Sequence, residues 1–84
     1  MHISLKNKIT LVTGVSSGIG REIAQLVAER GAQVFGTVRN PRSASSIHGV
    51  ELVSMDVTED ASVNAAIQSI VQKAGPIQFL VNNA

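Results

Sequence analysis

Thr13-Gly14-Val15-Ser16-Ser17-Gly18-Ile19-Gly20 is the stretch that organises the chain. It sits between an apolar run, Ile9-Thr10-Leu11-Val12, and an amphipathic run that begins at Arg21-Glu22-Ile23. The spacing predicts a turn from a buried strand into a helix. Glycines at 14, 18 and 20 let the backbone turn sharply and come close to something bulky. The helix that follows aims its free N–H groups and the positive end of its dipole into the turn, an arrangement suited to a phosphate. The chemistry implied is nucleotide binding.

Working outward, Lys8 to Thr13 is expected as the first strand, β-branched and apolar enough to be buried on both faces. A helix is predicted from about Ser17 to Arg30, with Ile19, Ile23, Leu26 and Val27 as its apolar stripe and Arg21, Glu22, Gln25 and Glu29 facing away. Gly31 stands where a left-handed residue ends helices. Gln33 to Val38 is the second strand, broken by Asn40-Pro41. Arg42 to His48 is serine-rich and weakly patterned, consistent with one irregular helical turn. Val50 to Met55 is the third strand. Asp56-Val57-Thr58 leads into a second helix, with Thr58 as candidate N-cap, Glu59 and Asp60 in the first turn, and Val63, Ile67, Ile70, Val71 and Ala74 as the buried stripe. Gly75-Pro76 ends it, Ile77 to Val81 is the fourth strand, and Asn82-Asn83-Ala84 follows. Met55, Phe35 and Phe79 are expected in the core.

This alternation specifies an α/β fold, a partial doubly wound (Rossmann-type) parallel sheet. Right-handed crossovers give the strand order 3-2-1-4, with the first helix and the short link on one face and the second helix on the other. The first and fourth strands then lie side by side where the winding reverses. Ligands of such sheets bind beyond the carboxyl ends of the strands at that point, so Gly14 and Asn82 to Ala84 are expected to converge on one site.

Composition narrows the function. The 84 residues, 44% hydrophobic and 15% charged, have a globular composition and make at most one small domain, and residues 1–84 are read as the N-terminal part of a Rossmann-type domain cut off after its fourth strand. A net charge of +1, with Phe35 and Phe79 as the whole aromatic content, argues against a nucleic-acid or membrane surface. There is no cysteine, and His2 and His48 lack metal-ligand spacing, so no metal site is expected. The amino terminus lacks the apolar core of a signal peptide, no apolar run can span a bilayer, and the chain is read as soluble and cytoplasmic.

The glycine spacing is G-x-x-x-G-x-G, and no Gly-Lys-Ser/Thr follows, which argues against an ATP-hydrolysing P-loop. With Thr13 and Ile19 it reads TGxxxGIG, and Asp56-Val57 and Asn82-Asn83-Ala84 follow in order. In these three motifs the sequence closely resembles the cofactor-binding front of the short-chain dehydrogenase/reductase family. The resemblance implies that Gly14 makes the tight turn, that Ser16 and Ser17 lie along the adenosine phosphates, and that Gly18, Ile19 and Gly20 bring helix N–H groups to the pyrophosphate. It implies further that Asp56 accepts a hydrogen bond from the adenine amino group with the Val57 backbone beside it, and that Asn82, Asn83 and Ala84 shape the floor near the ribose and brace the central strands. Amides at a strand end can also stitch backbone together with no ligand present.

The nicotinamide cofactor is selected at the end of the second strand. An acid there accepts hydrogen bonds from the ribose hydroxyls and repels a 2′-phosphate. Val38 holds the family's usual acid position and Arg39 follows it, so NADP is favoured over NAD, with Arg42 a second candidate for the phosphate. The family's reaction also needs a tyrosine in a Tyr-x-x-x-Lys pair and a serine that positions the carbonyl, because a phenol must give the carbonyl oxygen its proton and a lysine must lower the phenol's pKa. The chain has no tyrosine, so it holds no catalytic residues. Two expectations follow. In one, these residues are the front of a longer NADP-dependent oxidoreductase that acts on an alcohol or carbonyl substrate and is able to form oligomers. In the other, the chain is a non-catalytic nucleotide-binding remnant or partner protein.

Overall fold

A computed structural model describes residues 5–16, 18–42 and 44–83. Four strands, β1 (Ile9–Val12), β2 (Gln33–Val38), β3 (Val50–Ser54) and β4 (Phe79–Val81), alternate with helices α1 (Gly18–Glu29) and α2 (Asp60–Ala74). The strands form one parallel sheet in the order β3-β2-β1-β4. Leu11 stands between Phe35 of β2 and Leu80 of β4, which puts β1 at the reversal of winding. Topology and order are those expected from the sequence.

Alternation along the strands builds a core on each face. Val12, Val34 and Val38 point to the face covered by α1, where Val15, Ala24, Ala32 and Ile47 complete the cluster. Ile9, Leu11 and Phe35 point to the other face and pack on Ile70 of α2. β1 is buried throughout, as parallel strands flanked by helices are. The short link joins the α1 face through Ile47, as expected, yet the described residues between Arg42 and His48 form turns and an isolated bridge from Ile47 to Val50, with no helical turn. Arg21 holds this link: its guanidinium donates to the carbonyls of Ser45 at 3.2 Å and Ser46 at 3.1 Å, so it does not simply face away.

The helices correct the expected stripes. In α1 the buried positions are Gly20 and Ala24, flanked by half-buried Ile23, Val27 and Ala28, while Ile19 and Leu26 are exposed. Small residues face the sheet because α1 lies close to it, while Ile19 and Leu26 fall on the open side. The helix ends before Gly31, whose φ of 93° is the left-handed conformation anticipated for it. In α2, Ala66 and Ile70 are buried, with Val71 and Ile67 more open than expected. Its N-cap is Glu59, which makes no side-chain capping bond. The Thr58 hydroxyl is engaged elsewhere, donating to the Asp56 carboxylate, a local bond that competes with capping.

β4 departs furthest from expectation. Met55 and Phe35 are buried, but Phe79 is 47% exposed and Leu80 62%. Among the described residues β4 has β1 as its one strand neighbour, and a groove of about 460 Å³ lies between Leu80 and the α2 residues Val63 and Ile67. Among the described residues, no helix is long and apolar enough to cross a membrane.

Candidate functional site

The turn after β1 is fixed from two sides, by Thr37 of β2 and by groups on and just after β4. The Gly14 N–H donates to the Thr37 hydroxyl at 3.1 Å, and the Val15 N–H to the Thr37 carbonyl at 3.0 Å, which ties the turn to the end of β2. On the β4 side the Thr13 N–H donates to the Val81 carbonyl at 3.0 Å. The Thr13 hydroxyl accepts from the Asn83 N–H at 2.9 Å and lies 3.2 Å from the Asn82 amide oxygen. Finally, the Asn83 side-chain amide donates to the Gly14 carbonyl at 3.1 Å. Two stretches about seventy residues apart in sequence therefore meet in one hydrogen-bonded unit, and both asparagines are occupied in stitching it together.

Two glycines serve opposite purposes in this turn. Gly20 is in helical conformation and buried, and a Cβ there would lie 2.2 Å from the Gly14 oxygen and 2.4 Å from the Asn83 amide nitrogen. Gly18 has a φ of +64°, and a Cβ there would meet nothing within 4 Å. The first lets α1 dock on the turn, and the second leaves the approach to the helix N-terminus clear. The opening N–H groups of α1, at Gly18, Ile19 and Gly20, have no partner within the helix by its own geometry, and its first turn carries no acidic side chain to neutralise the dipole. Ile19 is 69% exposed. Ser17 and Ala84, both candidates from sequence, lie outside the described residues.

Beside the turn, at the carboxyl ends of β2 and β3, is a cleft of about 260 Å³ lined by Gly14, Ser16, Thr37, Val38, Arg39, Met55 and Val57. Its walls are the apolar faces of Val38, Met55 and Val57, and its charged rim is Arg39. The Arg39 guanidinium stands 3.6 Å from Asp56 Oδ1 in an exposed ion pair. That carboxylate also accepts the Thr58 hydroxyl at 2.7 Å and the Thr58 N–H at 3.0 Å. These two hydrogen bonds hold Asp56 below the usual carboxylate range, against an opposing effect of burial and with a lesser contribution from the Arg39 charge.

The sign of the pH dependence follows. A carboxyl whose folded-state pKa is depressed contributes stability above its ordinary value, and loses that contribution as pH falls through the folded one. Asp56→Asn is therefore expected to lower the unfolding midpoint slightly near pH 7, a small effect because the pair is exposed, and to converge with the parent on the acid side, where the carboxyl's contribution is lost. Circular dichroism across an acid titration reads both limbs. Parallel acid limbs in the two proteins would show that Asp56 contributes nothing to acid stability.

The candidates Gly14, Ser16, Arg39 and Val57 line one cleft, with Asp56 paired to Arg39; Gly18, Ile19 and Gly20 open α1 and are not in the lining, and Asn82 and Asn83 bond to the turn from the β4 side. Arg42 is exposed and outside the lining, its N–H donating to the Asn40 side chain at 3.1 Å. Sequence reasoning passed over Thr37 and took Thr58 for a cap. The available signal for Thr37 was a lone hydroxyl near the end of an otherwise apolar strand. No group of three side chains suited to a metal occurs among the described residues.

The family model described as short chain dehydrogenase matches residues 8–84. Over 87 residues the chain is 41% identical to the 3-oxoacyl-(acyl-carrier-protein) reductase FabG of Vibrio harveyi, covering 98% of this chain and 36% of that protein. It is 39% identical to the 3-ketodihydrosphingosine reductase of Bacteroides thetaiotaomicron, covering 95% of this chain and 29% of the relative. Among solved structures it is similar to the ligand-free aldohexose dehydrogenase of Thermoplasma acidophilum, with a TM-score of 0.83 and 35% identity over 95% of this chain and 30% of that one. A variant of actinorhodin polyketide ketoreductase solved with NADPH superposes with a TM-score of 0.81 and 29% identity, over 93% of this chain and 33% of the other. The chain thus spans about a third of the length of the relatives it matches.

Proposed function

Because the chain belongs to the short-chain dehydrogenases, we propose that it supplies the NADP(H)-binding part of an oxidoreductase that passes a hydride between the nicotinamide and an alcohol or carbonyl substrate. The observation that carries this is the cleft beside the glycine turn, where Val38 and Arg39 rather than an acid stand at the end of β2.

The residues present fit such a cofactor. Open space over Gly18 leaves room for a diphosphate at the α1 N–H groups, with the Ser16 hydroxyl at the neighbouring wall. Val38, Met55 and Val57 offer apolar surface to the adenosine, and Asp56 can accept from the adenine amino group. Arg39 would hold a 2′-phosphate, where a charge-assisted hydrogen bond contributes about 1.5–3 kcal/mol. Asn82 and Asn83 keep the turn seated on β1 and β4 so that these groups stay in register. When bound, the cofactor supplies or accepts the hydride. The 84 residues contain no tyrosine, so they do not hold the phenol that the family's Tyr-x-x-x-Lys pair uses as proton donor. The names of the relatives, reductases and dehydrogenases of several substrates, support the reaction class and leave the substrate open.

Arg39→Asp tests the cofactor. In the protein that carries this chain, NADPH affinity is expected to fall by at least about tenfold while NADH affinity rises, each 1.4 kcal/mol being a factor of ten. Arg39→Ala, which places no second carboxylate beside Asp56, should lose NADPH affinity without gaining NADH. Unchanged preference in both variants, read by fluorescence titration with the two cofactors, would return Arg39 to the class of surface loop charges.

A further inference from the structure

The glycine turn rests in a socket on β2 formed by two neighbouring residues, Gly36 and Thr37. Thr37 takes two consecutive N–H groups of the turn, Gly14 on its hydroxyl at 3.1 Å and Val15 on its carbonyl at 3.0 Å. Thr37 is 1% exposed, so water does not reach its hydroxyl to replace that bond, and a lost acceptor would leave a backbone donor unpaired. Gly36 stands opposite Val12 of β1, between Val34 and Val38 on the face covered by α1. A Cβ there would lie 2.6 Å from Val15 Cγ2, 3.1 Å from Val15 Cγ1 and 3.0 Å from Val50 Cγ1. The space left by the missing side chain is where the buried Val15 side chain packs. Hydrogen bonds from one residue and a steric notch at the next therefore fix the same two residues of the turn.

We propose that Gly36 and Thr37 are positioning residues for the cofactor: together they set how closely the Gly14–Val15 turn sits on β2, and through it where Ser16 and the opening N–H groups of α1 stand. This rests on the turn being the diphosphate site of the proposed function. The path from socket to ligand is short. Ser16 follows Val15 and lines the cleft, while α1 opens at Gly18 and docks Gly20 on the Gly14 carbonyl. A turn lifted from β2 carries these donors with it, and charge-assisted hydrogen bonds weaken steeply as distance and angle depart from the optimum. The diphosphate is common to NADPH and NADH, so the socket acts on both affinities by the same factor, whereas Arg39 separates them. A socket that served folding alone would lower stability and leave the affinity of the folded protein untouched.

The test titrates NADPH and NADH into the protein that carries this chain, with denaturant midpoints measured on the same samples. Thr37→Val, equal in shape but without the hydroxyl, is expected to weaken both cofactors about threefold to tenfold, the worth of one hydrogen bond, with their ratio preserved. Thr37→Ser, which keeps the hydroxyl, should bind as the wild type does. Gly36→Ala should weaken both cofactors at least as strongly as Thr37→Val, because the new Cβ must push Val15 and the turn away. Adding Val15→Ala removes the methyl groups that this Cβ meets and should restore most of the lost affinity, the non-additivity expected of residues in contact. A Thr37→Val protein with a lowered midpoint and wild-type affinities, or a Gly36→Ala loss that Val15→Ala leaves in place, overturns the positioning role while the nucleotide assignment stands. A shifted ratio of the two cofactors in Thr37→Val overturns it as well, by placing the effect at the 2′-phosphate. Should Gly36→Ala not fold, the comparison of Thr37→Val with Thr37→Ser decides alone. A wild type that binds neither cofactor would instead overturn the nucleotide assignment, and the socket's role with it.

Discussion

Gly20→Ala is expected to destabilise the protein by about 2–3 kcal/mol, although alanine is the better helix former by about 1 kcal/mol. The helix is not the difficulty. A Cβ at this position would lie 2.2 Å from the Gly14 carbonyl oxygen and 2.4 Å from the Asn83 amide, and the first of these is backbone held in place by Thr37 on one side and β4 on the other. Relief requires α1 to lift from the turn or the turn to leave its hydrogen bonds, and overpacking of this kind costs about 1–3 kcal/mol before the Asn83 bond is counted. Against a total stability of about 4–12 kcal/mol for a domain of this length, that is a large fraction. Denaturant midpoints give the measurement. Adding Asn83→Ala should recover only part of the loss, because the Gly14 oxygen remains, and the shortfall from additivity measures the coupling between the two stretches. A Gly20→Ala protein as stable as the parent would mean that the turn is softer than its hydrogen bonds imply.

The same contact explains what the sequence could and could not tell. Strand order followed from the alternation of patterns and the hand of crossovers, because those depend on backbone chirality and hold for any apolar filling. The convergence of Gly14 with Asn82 and Asn83 followed from that topology. Burial was harder, because a hydrophobic stripe shows which face of a helix is apolar and not how closely the helix approaches the sheet. In α1 the approach is set by Gly20 and Ala24, so Ile19 and Leu26, read as core, stand in the open. Phe79 was misjudged for a related reason: β4 has the composition of an inner strand, but its exposure is decided by what covers it. At the site, Arg39 and Asp56 were legible as single residues with separate roles. Their pairing was not, since sequence gives no distance between the ends of two parallel strands. Thr58 shows the limit most plainly: a threonine before an acidic helix start is a good cap by composition, and its hydroxyl had a closer partner two residues back.

Gly18→Val is expected to abolish binding of both NADPH and NADH, an affinity loss of at least about a hundredfold, while the fold survives. The cost to folding is the strain of a β-branched residue at a φ of +64°, about 1–3 kcal/mol, and the new Cβ itself meets nothing within 4 Å. Binding is affected differently. The empty space over Gly18 is the approach by which a diphosphate would reach the first N–H groups of α1, and a valine side chain would stand in it. Loss of two charge-assisted contacts at about 1.5–3 kcal/mol each accounts for the expected factor, with every 1.4 kcal/mol worth tenfold. Gly18→Ala separates strain from obstruction, since it shares the backbone strain with a much smaller side chain, and should bind with intermediate affinity. Arg39 offers the internal contrast: its loss should discriminate between the two cofactors, whereas obstruction at Gly18 cannot, because the diphosphate is common to both. Normal affinity in Gly18→Val would place the phosphates elsewhere and leave the glycine turn a purely structural junction between β1 and α1.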